Sequence, residues 1–202
     1  MRDASVKIVP DRVVALPTDG VVWGLDFYGK RTISGEGTAA AIKNVDDSIT
    51  YRLWLQGGHT LGKEQLEEFQ WAVPFREWSF RMMREIMTER LGYSRTRHES
   101  VSEWRYGPAL ASWRDRLAAD FLLVSMFLDG RNTAGLSVAV AMVGGTLAAR
   151  RAMACIVRLE DGRVVWCNLT TFYWDLTQRP GAQGLANLLL KEAIGEPPVK
   201  AK

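Results

Sequence analysis

A continuously apolar run over residues 121–128 is the strongest hydrophobic pattern in the chain. A run without polar alternation is typical of a central strand that is covered on both faces, so we predict such a strand at 120–128. A shorter apolar run at 12–16 is stopped by Pro17 and predicts a second strand.

Two further runs, at 153–159 and 163–173, predict a β-hairpin. The Glu-Asp-Gly sequence between them favours a three-residue loop, in which Gly162 takes a positive φ as the bulge residue. This loop places Leu159 opposite Arg163.

The same register places Cys155 opposite Cys167 on one face of the hairpin. Two alternatives stay open for this pair: buried thiols that act as small apolar side chains, or a cross-strand disulfide. Because the chain has only two cysteines, neither a zinc cluster nor a disulfide-dense scaffold is available to it.

Helical spacing of apolar residues appears in the middle and at the end of the chain. We predict helices at 63–71 and 75–91 on either side of Pro74, a helix that starts at Pro108, and a closing helix at 183–194. The core-facing residues predicted for these helices are Phe75, Trp78, Met82 and Ile86 with Met83 and Leu91 beside them, then Leu110, Trp113 and Leu117, then Leu185, Leu188 and Leu189.

The segment 18–60 is harder to interpret. It opens with an apolar run at 21–28, residues 30–44 favour at most one short helix at 38–43, and residues 48–56 alternate with a period of two. The alternation predicts a half-buried strand, and we interpret the whole segment as an excursion between the first strand and the first major helix.

These elements predict one α/β domain over residues 1–195. Its mixed β-sheet follows the order strand-helix-strand-helix-strand and then a hairpin, with packed helices mostly on one face and a C-terminal helix. The tail at 196–202 is predicted to be disordered.

Composition leaves the chain among ordinary globular proteins. It has 202 residues, 47% apolar and 24% charged, with a net charge of +3, which does not argue for nucleic acid. Basic and aromatic residues interleave around 95–116, but we favour a helix-flanking surface and a core tryptophan there; the residues are Arg95, Arg97, Trp104, Arg105, Tyr106, Trp113, Arg114 and Arg116. Eight tryptophans indicate large aromatic surfaces that are either buried or offered to a partner.

The chemistry of catalysis is not apparent in the sequence. His59 and His98 are far apart and near no cysteine cluster, so we interpret them as surface imidazoles. No phosphate-binding loop and no Gly-x-Ser-x-Gly motif is found. We therefore predict no catalytic residue, no cofactor, no metal and no enzymatic activity.

Residues 133–149 are small, apolar and nearly uncharged. They fit either a helix buried under another element or an apolar surface for association. We favour the association surface because the flanks at 129–132 and 150–151 are polar and suggest that the stretch projects from the body. The candidate surface residues are Leu136, Val138, Val140, Met142 and Val143.

Three local sequences carry a resemblance to a known group of proteins. They are Val-Val-Ala-Leu-Pro at 13–17, Ala-Asp-Phe-Leu-Leu-Val at 119–124 and Leu-Glu-Asp-Gly-Arg-Val-Val-Trp at 159–166, with Asp175 ahead of a terminal helix. The pattern resembles the small α/β domains of Gram-negative envelope lipoproteins, similar to the N-terminal domain of TolB. It covers 120–194 well, and it departs from the group at 18–60 and in lacking a lipobox cysteine.

The resemblance implies a periplasm-facing interaction domain without enzymatic activity. Anchoring of this domain to the outer membrane is one arrangement that the resemblance allows. Its partner would be an envelope protein or a second copy, not nucleic acid, and membrane contact would come only from an anchor outside this chain. No signal segment is visible, which also fits a cytoplasmic protein. Two other classes stay open: a lipid-handling subunit of an envelope transporter, with Trp23, Trp54 and 133–149 lining a groove, and a cytosolic enzyme without a recognisable motif.

Overall fold

The structure is a computed structural model that describes residues 6–62, 65, 68, 72–89, 105–133, 136 and 150–195. It confirms the predicted α/β domain with a mixed sheet, packed helices and a C-terminal helix. The strands are β1 (Val13–Ala15), β2 (Asp19–Leu25), β3 (Arg31–Ile33), β4 (His59–Thr60), β5 (Phe121–Asn132), β6 (Arg150–Arg158) and β7 (Val164–Thr171). The α-helices are α1 (Gly35–Trp54), α2 (Ala72–Glu89), α3 (Ala111–Leu117) and α4 (Arg179–Ile194), with short 3₁₀ turns at Pro10–Arg12 and Pro108–Leu110.

The sheet is built around β5, which has partners along both edges. On one edge β6 pairs antiparallel to it from Phe121 to Asp129, and β7 pairs with β6. On the other edge β1 and β2 follow each other end to end, both parallel to β5. Outside them, β4 pairs with β1 and β3 pairs with β2. The predicted central strand is therefore confirmed, and it continues beyond residue 128 to Asn132.

Side chains of β5 alternate between two hydrophobic cores. Leu123 and Phe127 face α1 and α4, whereas Leu122 and Met126 face α2 and α3. The expectation that the helices lie mostly on one face is wrong, because each face of this strand is apolar and needs its own cover.

The hairpin of β6 and β7 differs from the predicted loop by one residue. Arg158 N donates to Arg163 O at 2.8 Å, so Arg158 and not Leu159 lies opposite Arg163. A bulge then shifts the register between Ile156 and Val157. From Ile156 back to Arg151, the strands therefore pair in the predicted register.

The cysteines lie opposite each other, as this register requires. Cys155 pairs with Cys167 in the ladder, and the two sulfur atoms are joined as a disulfide in the structure. Both residues are buried in the core on the α2 and α3 side.

Residues 35–54 form one 20-residue helix, so the predictions of a short helix at 38–43 and a strand at 48–56 are wrong. Ser34 caps the helix, because its Oγ accepts from Gly37 N at 3.1 Å. The buried side chains recur at the helical period and are Ala41, Val45, Ser48, Ile49, Arg52 and Leu53. Residues 18–60 thus supply β2, which pairs with the central strand, and α1, which covers one of its faces.

The helices around Pro74 and Pro108 begin at or close to these prolines. Pro74 lies in the first turn of α2, where a missing N–H costs no hydrogen bond. Trp78 and Leu188 are 50% and 38% exposed, so their predicted core positions are wrong. Met83, predicted beside the stripe, is buried, and so is Phe80, which the prediction did not include. The prediction at Pro108 is confirmed, with Leu110, Trp113 and Leu117 buried. The helix predicted at 63–71 and the tail at 196–202 lie mostly or wholly outside the described residues.

Replacing Gly162 by alanine should destabilise the protein more than the same change at Gly29. Both glycines have positive φ, +66° and +79°, which costs alanine about 1–2 kcal/mol. At Gly162 the new Cβ would also lie 2.2 Å from Gly107 O, adding about 1–3 kcal/mol of overlap. Nothing lies within 4 Å at Gly29. Urea unfolding of both variants measures the difference in unfolding free energy. Equal losses at Gly162 and Gly29 would contradict the close contact between Gly162 and Gly107.

Candidate interaction site

Several chain segments meet at one end of the sheet. Because β5 runs parallel to β2 and antiparallel to β6, and β7 runs antiparallel to β6, the C-termini of β2, β5 and β7 lie at the same end. The chain leaves the sheet there at Asn132 and returns there at Arg150.

Four aromatic side chains are exposed on the loops at this end. Phe27 and Tyr28 in the β2–β3 turn are 68% and 92% exposed, and Tyr173 and Trp174 after β7 are 85% and 42% exposed. We call these four residues the aromatic rim. The strands that carry the two pairs are three positions apart in the sheet, a span of about 14 Å.

The β2–β3 turn holds its aromatic pair through Asp26. The Oδ1 atom of Asp26 accepts from Tyr28 N at 2.9 Å and from Lys30 N at 2.8 Å, and Asp26 N donates to Lys30 O at 3.1 Å. Gly29 supplies the positive φ that closes the turn. Phe27 and Tyr28 thus project from a backbone that is fixed by its own hydrogen bonds.

A buried ion cluster lies behind the second aromatic pair. Asp129 on β5 is 0% exposed. Arg131 donates to its Oδ2 at 2.6 Å and also to Asp175 Oδ1 at 2.7 Å. Arg150 Nε lies 3.0 Å from Asp129 Oδ1, off the hydrogen-bond direction, so this contact is an ion pair. We call these four residues the Asp129 cluster.

The Asp129 cluster fixes the loop between β7 and α4 to the central strands. Arg150 donates through a second guanidinium nitrogen to Tyr173 O at 2.8 Å. Asp175 Oδ1 also accepts from Thr177 N at 2.9 Å and Thr177 Oγ1 at 2.7 Å. Both ends of the loop segment that carries Tyr173 and Trp174 are therefore held by charged hydrogen bonds.

Electrostatics favour the ionised forms of Asp175 and Arg131. Partial burial alone would raise the pKa of Asp175, but hydrogen bonds from Thr177 and Arg131 outweigh it and lower that pKa. Burial likewise opposes the charge on Arg131, but hydrogen bonds to Asp129 and Asp175 raise its pKa. The two negative charges of the carboxylates balance the two positive charges of the guanidinium groups. This balance offsets the free-energy cost of burying Asp129.

Trp174 packs on α4 where that helix has small residues. A Cβ atom at Gly184 would lie 3.2 Å from the Trp174 ring, and one at Gly181 would lie 2.2 Å from Asp175 O. The glycines let the loop and the indole approach the helix closely. One face of Trp174 is therefore supported while 42% of the residue stays exposed.

The residues of the predicted association surface divide between described and undescribed parts. Leu136 is buried, at 6% exposure. Val138, Val140, Met142 and Val143 lie outside the described residues. The polar flanks do not support a projecting stretch, because Asp129 is fully buried and paired with Arg150.

Other predicted functional residues are not brought together. Trp23 packs against Gly130, on the face opposite Val22, and Val22 belongs to the core under α1. Since Trp54 belongs to α1, the two tryptophans do not line one groove. His59 is exposed and His98 lies outside the described residues. Within the described ranges, no group of His, Cys, Asp or Glu side chains is arranged to hold a metal ion.

The interleaved basic and aromatic residues do not form a stacking surface in the described part of the chain. Trp113 is buried, at 5% exposure, and Arg114 donates to Asp120 Oδ1 at 2.7 Å. Arg95, Arg97 and Trp104 lie outside the described residues. No described helix is long and apolar enough to cross a membrane.

The aromatic rim and the Asp129 cluster are the features that the sequence patterns missed. The Asp-Phe-Tyr-Gly sequence at 26–29 is a turn signal with two aromatic residues at its tip, and it could have indicated the first pair. The cluster has no local signal, because its members lie on three separate segments.

Comparisons with known proteins return solved structures alone, since no protein-family model and no curated protein matches the chain. PelC from Paraburkholderia phytofirmans, a dodecamer, aligns at 12% identity over 98% of this chain and 94% of that chain, with a TM-score of 0.39. The LpoB C-terminal domain from Salmonella enterica aligns at 11% over 83% and 85%, with a TM-score of 0.34. The lipoprotein GNA1162 from Neisseria meningitidis aligns at 10% over 79% and 78%, with a TM-score of 0.31. Likeness at this level carries no functional argument, and the similarity to TolB is not confirmed by these matches.

Replacing Asp129 by asparagine should cost about 3–5 kcal/mol of unfolding free energy, because it leaves two arginines facing a neutral buried group. The matched control is Asp47→Asn, which breaks the exposed ion pair in which Lys43 Nζ lies 2.7 Å from Asp47 Oδ2. It should cost under about 1 kcal/mol of unfolding free energy. Urea unfolding measures both. Similar losses for the two variants would show that the Asp129 cluster does not hold the loop as described.

Proposed function

We propose that this chain is a non-enzymatic interaction domain of the Gram-negative cell envelope, facing the periplasm, and that it binds a protein partner through the aromatic rim. The observation that carries the proposal is the exposure of Phe27, Tyr28, Tyr173 and Trp174 on loops with fixed backbones. The partner is an envelope protein or a second copy of the chain.

Exposed aromatic residues on a fixed frame suit protein recognition. Tyrosine and tryptophan bury large surfaces on binding and keep a polar atom for a hydrogen bond, so they are common at the energetic centres of interfaces. A loop that is already held in place loses little conformational entropy when a partner binds. The Asp26 turn and the Asp129 cluster supply this pre-organisation.

The cysteine pair supports a compartment outside the cytoplasm. The chain has two cysteines, and in the structure they form one disulfide between neighbouring strands. Disulfides persist in oxidising compartments such as the periplasm and are rare in the cytosol. The envelope assignment within that class rests on the resemblance at 119–124 and 159–166.

The other function classes have less support. A lipid-handling groove between Trp23 and Trp54 is not proposed, since they lie on opposite faces. Catalysis is not proposed either, because the hydroxyl pair of Thr18 and Ser125 at 2.7 Å is buried and has no basic side chain among its described hydrogen-bond partners. Nucleic acid is not proposed as a partner.

Purified protein that has not been reduced should show no free thiol after unfolding in the presence of an alkylating reagent. Reduction before labelling should add two labels per chain, one at Cys155 and one at Cys167, counted by mass spectrometry. Two labels without reduction, on protein exported to an oxidising compartment, would contradict the disulfide and remove the support for the periplasm.

Photo-crosslinking tests the rim directly. A photoreactive phenylalanine analogue placed at Tyr28 or Tyr173 in the native cells should give discrete protein adducts, because both side chains project into solvent. The matched control position is Trp78, which is 50% exposed on α2. Its ring packs against Tyr106, whose N–H donates to Gly162 O at the end of the hairpin opposite the rim. An adduct of twice the chain mass identifies a second copy as the partner. No adduct at the rim, or the same adducts from Trp78, would overturn the proposal.

A further inference from the structure

A groove of about 430 Å³ lies between α1 and the start of α4, away from the aromatic rim. Along α1 it follows one stripe of side chains, from Asn44 through Asp47 and Tyr51 to Trp54. Arg179 and Gln183, in the first turns of α4, form the other wall. The volume falls in the usual range of small-molecule sites.

Two aromatic rings form a platform in this groove. Tyr51 and Trp54 have ring centroids 6.2 Å apart and ring planes inclined by 28°, so their faces are close to parallel. Tyr51 is 45% exposed and Trp54 is 68% exposed. A helix whose other stripe is buried thus offers two neighbouring aromatic rings to solvent.

Polar groups surround the platform. Neither the Arg179 nor the Gln183 side chain has a hydrogen bond or an ion pair with another residue in the described part of the chain. Asp47 pairs with Lys43 at 2.7 Å, and Asn44 donates to Leu176 O at 3.2 Å. The guanidinium and amide therefore supply donors, while carboxylate and amide oxygens supply acceptors.

We infer that this groove binds a β-1,4-linked oligosaccharide. The two faces of a pyranose ring in such a chain carry C–H groups that pack on aromatic rings, and its edge carries hydroxyl groups that both donate and accept hydrogen bonds. The groove offers both: two neighbouring exposed aromatic rings and a border of mixed donors and acceptors.

The charges of the groove disfavour other ligand classes. Asp47 is already ion-paired with Lys43 at 2.7 Å, and the carboxylate of Asp46 lies beside this pair. Counted together with Arg179, these groups leave the groove and its border with no excess of positive charge with which to select a phosphate or an acidic peptide. An acyl chain would leave the Arg179 and Gln183 side chains without polar partners upon burial. A neutral ligand rich in hydroxyl groups avoids both costs.

Isothermal titration calorimetry tests the inference with three probes: the β-1,4-linked tetramer of N-acetylglucosamine, cellotetraose, and the α-linked maltotetraose. At least one β-linked tetramer should bind more tightly than maltotetraose. Trp54→Ala should weaken that binding by about tenfold or more, and Trp54→Phe should retain most of it. Tyr28→Ala, on the rim, is the matched control and should leave the dissociation constant unchanged.

The test separates this inference from the proposed protein partner. Trp54 is 68% exposed, so its variants should fold, which a thermal melt by circular dichroism verifies. Arg179→Gln provides a second variant and should also weaken binding. The inference is overturned if neither β-linked tetramer binds at millimolar concentration, or if Trp54→Ala and Tyr28→Ala have equal effects. Binding of anionic phospholipid vesicles or polyglutamate in place of the sugars, with the same Trp54 dependence, would overturn it as well.

Discussion

The central strand β5 pairs along both edges and is buried on both faces, and the positions of the other elements follow from it. Its 12 residues are long enough for two shorter strands, β1 and β2, to pair end to end along one edge. Residues 16–18 join these strands without a change of direction, and there Thr18 Oγ1 and Ser125 Oγ are hydrogen-bonded at 2.7 Å inside the core. The length of β5 also carries Asp129 into the protein interior, where its charge needs a partner.

Sequence patterns predicted the elements whose burial is uniform. The run at 121–128 has apolar side chains on both faces, and the hairpin has a glycine where positive φ is required. The same reasoning failed for α1 because its buried stripe includes Ala41, Ser48 and Arg52, which do not look like core residues. Arg52 is buried with its guanidinium donating to Gly195 O at 2.6 Å, a contact that requires the tertiary fold. Over 48–56, Ile49 and Leu53 fit a helical period as well as the period-two alternation that predicts a strand.

The candidate site was less predictable than the fold. Asp129 and Arg150 look like polar flanks of an apolar stretch, and that reading suggested a projecting segment. The pairing of β5 with β6 instead places Asp129 opposite Arg150 and buries both charges partly or wholly at the sheet end. The register of two paired strands joins residues that are far apart in the sequence. Charges that the register brings together therefore leave no signal in the local sequence. The exposed aromatic residues were missed for the opposite reason, because large apolar residues are normally assigned to the core.

The rim and the groove depend on the same buried charges. The loop after β7 carries Tyr173 and Trp174, is held by Arg150 and by Arg131 through Asp175, and leads directly into Arg179. The point at which this loop enters α4 determines the position of Arg179 relative to Tyr51 and Trp54. Asn44 strengthens the arrangement, since it joins α1 to Leu176 O within the loop. A fully buried carboxylate on the central strand therefore orients an aromatic surface at the sheet end and one wall of a polar groove on its face.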